Sequence, residues 1–154
     1  MQALKWMEEA KRGPAGFPLQ LYDIDWRHPR YVMPLHWHND CEIILVRSGR
    51  FDYEVDSVRG AATAEDALFV NGGQLHGGMP QNCLYQCIVF DLAMLMQGDG
   101  PARLLLAPLA GGSRRVRLRL PSDDAALHET ITAMFDALYN GKPAYELQVQ
   151  GLLY

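Results

Sequence analysis

Between Pro18 and Pro121, the sequence is a series of short apolar segments separated by glycine, asparagine, aspartate or proline. Strand-length segments with turn residues between them are typical of all-β sandwiches and small barrels. The segments are LQLYDID, LHWHNDCEIILV, RFDYEV, DALFV, LYQCIVF and VRLRL. The last segment alternates apolar residues with arginine, which predicts a strand with one face in the core and one in water. We therefore predict a mainly β fold, with a barrel over residues 18–121.

After Pro121 the spacing of apolar residues changes to that of a helix. Ser122 is a favourable helix cap, and apolar residues then recur four, three and four positions apart, which predicts one apolar face. Gly141 ends this helix, and a second helix begins near Ala144. Since no cap follows before Tyr154, we expect the second helix to be truncated. The apolar face consists of Leu127, Ile131, Met134 and Leu138.

Two other segments flank or interrupt the barrel. Residues 1–17 form a predicted N-terminal arm, because Gly13, Pro14 and Gly16 separate them from the first strand. We expect this arm to fold over the mouth of the barrel. The segment 91–112 contains one or two short helices that Gly98–Pro101 divides. The helical segment 122–154 completes the predicted organisation.

Composition narrows the classes of function. With 14 Lys and Arg against 18 Asp and Glu, the formal charge is -4, which disfavours direct binding of nucleic acid by these residues. The three cysteines are predicted to be reduced thiols of a cytosolic protein. No apolar run approaches the roughly 18 residues that a membrane span needs, and the acidic N-terminus is unlike a signal peptide. We therefore expect a cytoplasmic protein with no membrane partner.

A group of histidines and one carboxylate carries the predicted chemistry. His36, His38 and Glu42 all occupy even positions, so one strand would project them from the same face. His76, in the glycine-rich segment GGQLHGG, is a fourth candidate. Three imidazoles and a carboxylate suit a divalent transition metal, with Zn, Ni, Fe and Mn left open. The alternative is that these groups line the barrel and hydrogen-bond one another or a ligand.

The spacing of these residues resembles the two cupin motifs. His36, His38, Glu42 and Gly49 match the first motif, His-x-His, Glu, Gly, at every spacing, although Arg30 stands in place of its upstream glycine. The second motif matches at two positions and departs at three. Gly73 and His76 match, whereas Glu65, Asn71 and Pro80 replace a glycine, a proline and an asparagine.

Residues 18–154 also resemble the N-terminal sensing domain of AraC-type bacterial transcription regulators. The resemblance lies in LHWHNDCEIILVRSGRFDYEV, the Asn-Gly-Gly-x-x-His turn, YQCIVFD and the final helices. It implies a cupin-like double-stranded β-helix, or jelly-roll, barrel followed by a helical hairpin. It also implies that the barrel binds a small polar, sugar-like effector and that the helices form a homodimer. DNA would be bound only through a helix-turn-helix domain that lies outside this chain.

The resemblance assigns residues to these two roles. The effector pocket is expected to contain His36, His38, Glu42 and His76, together with Tyr53, which shares its strand parity with Phe51 and is therefore predicted to point into the core or pocket. The dimer interface is expected on the apolar face of the first helix, at Leu127, Ile131, Met134 and Leu138. On this interpretation the domain is not an enzyme and needs no cofactor, although a metal ion at the histidines is compatible with it. The alternative is a small metal-dependent cupin enzyme, either a dioxygenase or an isomerase.

Overall fold

The computed structural model describes residues 6–154, and its centre is one antiparallel sheet. Two strands of 15 residues each, β3 and β6, pair along almost their whole length, from Cys41 opposite Phe90 to Val55 opposite His76. The shorter strands flank them, with β1 and β2 on β6 and with β4 and β5 on β3. The strands are β1 Leu19–Ile24, β2 Met33–His36, β3 Cys41–Val55, β4 Val58–Thr63, β5 Ala67–Val70 and β6 His76–Phe90.

Each long strand bends near its middle, so that the sheet folds over on itself. The first half of β3 pairs with β5 and the second half pairs with β4, and the ladder to β6 shifts between Val46 and Arg50. Gly49 lies in this bend with a φ of 76°, and a Cβ there would be 2.0 Å from the carbonyl oxygen of Asn82. Only glycine fits so close an approach in the left-handed region.

The bent sheet buries apolar side chains on both faces of its first half. Inside the bend, residues from both halves form one core, which shows that the two halves enclose it. Outside, alternate residues such as Ile43 and Leu45 pack against the helices. This explains why the six residues of CEIILV are all buried, rather than alternately buried and exposed. The inner core contains Ile24, Ile44, Val46, Phe51, Val55, Ala62, Leu68, Val70, Cys83, Tyr85 and Cys87.

The helices follow the order that the sequence predicts. A short 3₁₀ helix, Leu92–Leu95, and α1, Pro101–Ala110, occupy the segment after β6. The hairpin consists of α2, Ala125–Asn140, and α3, Tyr145–Leu153. The cap of α2 is Asp124 rather than Ser122, because the Asp124 carboxylate accepts a hydrogen bond from the backbone N–H of Leu127 at 3.0 Å. Gly141 ends α2 in the left-handed region, as predicted.

The segment VRLRL is not a regular strand, contrary to the prediction. It runs beside β5 through two backbone hydrogen bonds, from Phe69 N–H to Leu118 O and from Leu120 N–H to Ala67 O. Its alternation is nevertheless as expected, since Leu118 and Leu120 contribute to the two cores while the arginines are exposed. The segment has too few partners to form a ladder of its own.

The apolar face of α2 packs on the barrel, which corrects the predicted dimer interface. Ile131 and Met134 are only 5% and 2% exposed and belong to the core outside the sheet, while Leu127 and Leu138 pack against that core. The hairpin therefore uses this face within its own chain. A helix with an apolar stripe must bury that stripe against another apolar surface. The period of the stripe does not tell whether this surface belongs to a sheet of the same chain or to a second subunit.

No helix in residues 6–154 has the combination of length and apolar character that a membrane crossing requires.

The packing of α2 predicts a difference between two aliphatic truncations. Met134→Ala removes a side chain buried between helix and sheet, so the free energy of unfolding should fall by about 2–5 kcal/mol. Val58→Ala, on the 57% exposed Val58 of β4, should change it by no more than about 0.5 kcal/mol. Urea unfolding at two protein concentrations measures both. Equal effects, or a Met134→Ala loss that depends on protein concentration, would contradict the packing.

Candidate functional site

The histidines and the glutamate converge at one end of the inner core. His36 ends β2, His38 lies in the connection to β3, Glu42 is on β3 and His76 begins β6. The prediction that the first three share one strand is wrong, because the chain leaves the sheet between His36 and Cys41. The pairing of His36 opposite His76 in the ladder nevertheless brings the two sequence motifs together.

The four side chains form a compact cluster. One ligand atom from each lies within 4.8 Å of the others. The carboxylate of Glu42 is in contact with His38 Nε2 at 3.2 Å and with His76 Nε2 at 3.0 Å, both through the same oxygen. The His36 ring is 4.3 Å from that of His76, measured between centroids. Glu42, His38 and His76 are buried, whereas His36 is partly exposed.

Backbone carbonyl groups fix the tautomer of each imidazole. The Nδ1 atoms of His36, His38 and His76 lie 2.8–3.0 Å from the carbonyl oxygens of Pro34, Asp40 and Gln74, respectively. Since a carbonyl oxygen can only accept, each Nδ1 carries a proton and donates it. A neutral ring then presents the lone pair of Nε2 to the cluster. Two such lone pairs facing one carboxylate oxygen require a proton or a cation between them.

The electrostatics of the cluster agree with this requirement. Burial alone would raise the pKa of Glu42, but hydrogen bonds from His38 and His76 outweigh burial and hold that pKa well below its usual range. Burial would likewise lower the pKa of His76, but the hydrogen bond and negative charge of Glu42 raise it. For His36, burial and the positive charge of His76 lower the pKa. The cluster therefore stabilises positive charge beside Glu42 and keeps His36 neutral.

A cavity of about 360 Å³ opens from the cluster towards the N-terminal arm. Its walls combine apolar and polar side chains. The described part of the arm, from Trp6, lines this cavity, and residues 1–5 of the predicted arm are outside the described residues. The arm contributes Trp6, Met7, Glu8 and Arg12, and the barrel contributes among others Tyr22, Ile24, Arg30, Met33, His36, His38, Glu42, Tyr85, Cys87 and Val89.

Main-chain hydrogen bonds hold the arm to the barrel. The N–H of Glu8 donates to the carbonyl oxygen of Trp37 at 2.8 Å, and the N–H of Trp37 donates to that of Trp6 at 2.9 Å. The Glu8 side chain in turn pairs with both Arg12 and Arg30. The first described residues of the arm, 6–8, are thus attached over the cavity by backbone hydrogen bonds to Trp37 and by the Glu8 carboxylate.

One predicted pocket residue lies elsewhere, and several cavity residues were not predicted. Tyr53 lines a separate groove near Gly60 and Gly77 and does not reach the histidine cavity. The cavity instead contains Glu8 and Arg12 of the arm, for which the sequence offers no motif. Cys87 also faces the cavity, and burial and the charge of Glu42 raise its pKa. The alternation in β6 separates Cys87 from Gln86 but does not tell which of them is inside.

The second motif keeps its backbone conformation despite its substitutions. Gly73 has a φ of 82°, and its N–H donates to the carbonyl oxygen of His38 at 2.7 Å, which ties the turn before His76 to the turn before Glu42. Glu65, at the position of a motif glycine, also has a positive φ, of 70°. This is the conformation that glycine adopts most readily. The turn geometry is therefore present even where the motif residue is absent.

A comparison with protein families decides the assignment. The family model described as AraC-like ligand binding domain matches residues 18–154. The chain belongs to this family. None of the curated proteins matches the sequence. The resemblance stated from the cupin motifs and the final helices is thereby confirmed.

Three solved structures are similar to parts of this AraC-like domain. The AraC-like transcriptional activator CuxR is 13% identical with a TM-score of 0.52, over 75% of this chain and 41% of CuxR. An RmlC-like cupin from Shewanella frigidimarina is 26% identical with a TM-score of 0.41, over 47% of this chain and 64% of that protein. KdgF from Halomonas is 19% identical with a TM-score of 0.39, over 47% of this chain and 67% of KdgF. The chain thus spans less than half of CuxR.

The donor set fits a divalent transition metal. Histidines that bind a metal characteristically donate their other ring N–H to a carbonyl or carboxylate, as all three Nδ1 atoms do here. A cation would also satisfy the two Nε2 lone pairs that face Glu42. His36, His38, His76 and Glu42 would hold the ion, which would offer a coordination position to an oxygen atom of a ligand in the cavity.

The cluster predicts metal binding that depends on His38. The protein purified without chelator should contain about one equivalent of a divalent transition metal, by elemental analysis. His38→Ala should abolish it, because a ligand and its backbone-oriented tautomer are lost. His128→Ala is the matched control, since His128 lies on α2 and pairs with Glu65. Equal metal content in both variants, or none in the parent protein, would contradict metal binding at the cluster.

Proposed function

We propose that this domain senses a small polar, sugar-like effector for a cytoplasmic AraC-type regulator of transcription. The observation that carries the proposal is the cavity between the His/Glu cluster and the arm, within a domain of the AraC-like ligand binding family. The effector would lie with polar groups against His36, His38, Glu42 and His76. DNA would be bound by other parts of the regulator, since the charge of -4 offers little attraction to phosphates.

The size and lining of the cavity support a small ligand with both polar and apolar faces. A volume of about 360 Å³ is at the lower end of the range of roughly 300–1,000 Å³ for small-molecule sites. Ile24, Met33 and Val89 supply apolar walls, while Tyr22 and the cluster supply hydrogen-bonding groups. Sugars have this distribution, with C–H faces and hydroxyl edges.

The arm provides a way to couple binding to regulation. A ligand shifts a conformational equilibrium only by as much as its affinity for the two states differs. Because Trp6, Met7 and Glu8 form part of the cavity wall, the cavity with the arm in place differs from the cavity without it. An effector that binds one of the two arrangements more tightly would therefore change the fraction of molecules in which the arm covers the cavity.

The alternative of a metal-dependent enzyme rests on the same cluster. Three histidines and a glutamate beside an open cavity could activate a water or dioxygen molecule if a metal ion were bound. The two functions differ in what happens to the ligand. A regulator domain returns its effector unchanged after hours of incubation with the metal-loaded protein, whereas an enzyme converts it.

Cavity binding can be tested by filling the cavity. A thermal-shift screen of sugars and related metabolites should find a ligand that stabilises the protein. Met33→Trp places a larger side chain in the cavity beside the cluster. It should lower the affinity for that ligand by about tenfold or more, a loss of at least about 1.4 kcal/mol of binding free energy. Met79→Trp, on the exposed Met79 outside the cavity, should leave the affinity unchanged. Calorimetric titration measures both variants. Equal weakening by both would place the ligand elsewhere.

We further propose that the domain forms a homodimer through the outer side of its helices. Exposed apolar side chains remain there, at Leu104 and Leu105 of α1 and at Leu147 of α3. A twofold dimer is the commonest closed assembly of identical subunits. In the regulator it would present two DNA-binding units to two half-sites.

The dimer proposal predicts a change of size without loss of fold. The parent protein should sediment as a dimer, and Leu147→Glu should sediment as a monomer, because a charge would be buried at the interface. Val58→Glu, on the exposed Val58 of β4, is the control and should remain dimeric. Circular dichroism checks that all three proteins are folded. A monomeric parent, or a Leu147→Glu dimer, would contradict an interface at α3.

A further inference from the structure

The arm places a carboxylate among the positive groups of the cavity. Glu8 pairs with Arg12 through one carboxylate oxygen and with Arg30 through the other. The first of these oxygens is also 3.8 Å from His36 Nε2. Burial alone would raise the pKa of Glu8, but hydrogen bonds from Arg30 and Arg12 outweigh it and lower that pKa to about 2. Glu8 is therefore an anion held between two guanidinium groups.

Arg12 is buried at a position where its charge needs an anion. Its side chain is only 4% exposed, and it also contacts the hydroxyl and the ring face of Tyr22. The Nε atom has no hydrogen-bond acceptor among residues 6–154, since the carboxylate oxygen of Asp40 is 3.6 Å away. A buried guanidinium with a free N–H is a group that can receive a further acceptor.

Glu8 is the carboxylate that balances these two arginines within the cavity. The other cavity carboxylate, Glu42, is taken up by His38 and His76. If Glu8 moved away, Arg12 would lose its hydrogen-bonded carboxylate and keep only the longer ion pair with Asp40, at 3.6 Å. A buried guanidinium without a hydrogen-bonded acceptor is unfavourable, so another anion in the place of Glu8 would stabilise Arg12.

We propose that Arg12 and Arg30 form a carboxylate subsite of the effector cavity, which Glu8 fills as a tethered competitor when no effector is bound. This inference rests on the proposed sensing function and names the class of effector, which is a small molecule that carries a carboxylate. Two guanidinium groups recognise a carboxylate better than a hydroxyl, because a carboxylate carries the opposite charge and offers two oxygens that can accept from the guanidinium N–H groups in parallel. A sugar acid fits both the subsite and the hydroxyl-binding cluster.

The attachment of Glu8 is suited to exchange. The backbone of residues 6–8 is held to the barrel by two hydrogen bonds, both at Trp37. By contrast, Gly13 is fixed closely against Phe17 and Leu19, so Arg12 stays with the barrel. An incoming carboxylate would take over the two arginines, and Glu8 would leave together with Trp6 and Met7. The effector would thereby release the wall that covers it.

Acetate and its neutral analogue acetamide test the subsite. Titrations are followed by the ¹⁵N resonance of the Arg12 Nε–H at constant ionic strength. In Glu8→Gln, acetate should shift this resonance saturably, with an apparent dissociation constant about tenfold or more below that of the parent protein, because the competitor is gone. Acetamide should produce no such shift. Glu9→Gln, the same charge change on an exposed neighbour, should behave as the parent.

Two further variants complete the test. One shows whether the gain comes from loss of the Glu8 carboxylate or from the new glutamine side chain, and the other tests the role of Arg30. Glu8→Ala should bind acetate as tightly as Glu8→Gln, which excludes an effect of the glutamine amide. Arg30→Gln in the Glu8→Gln background should reverse the gain. An acetate affinity equal in the parent and Glu8→Gln, or equal responses to acetate and acetamide, would overturn the subsite. A neutral effector that binds the cavity with Glu8 still in place would overturn the subsite alone and leave the sensing function standing.

Discussion

The organisation of the site depends on one buried carboxylate. Glu42 is 2% exposed on a central strand, and a carboxylate in such a place is stable only if positive charge and hydrogen bonds surround it. His38 and His76, which lie 4 and 34 residues from Glu42 along the chain, meet this need. Each imidazole must therefore be oriented by its own turn, which the Nδ1 bonds to Asp40 and Gln74 accomplish.

The strand that carries Glu42 also joins the cavity to the helices. Glu42 and Ile44 face inward, while Ile43 and Leu45 between and beyond them belong to the outer core with Phe135 of α2. The continuous burial of this stretch makes β3 a shared wall of two layers. Substitutions there affect both the cavity and the packing of the hairpin, so separate tests of sensing and assembly require residues on the arm or on the outer helix faces.

The sequence predicted the architecture better than the details of the site. Strand and helix periods were sufficient for the barrel and hairpin, and the motif spacing was sufficient for the four clustered residues. The apolar face of α2 was misassigned, because a stripe containing Ile131 and Met134 looks the same whether a sheet or a second subunit covers it. Tyr53 was placed in the pocket by alternation alone, and the bend near Gly49 turns its part of β3 towards another groove.

The arm contacts could not be predicted, because Glu8, Arg12 and Arg30 share no spacing that a pattern could reveal. The structure nevertheless explains one departure from the cupin motifs. Arg30 stands where the first motif has its upstream glycine, and its guanidinium reaches Glu8 of the arm. Glu65, at the corresponding glycine of the second motif, adopts the glycine conformation. Of these two departures, the second preserves the turn and the first adds a positive charge beside the cavity, where Arg30 binds Glu8 of the arm.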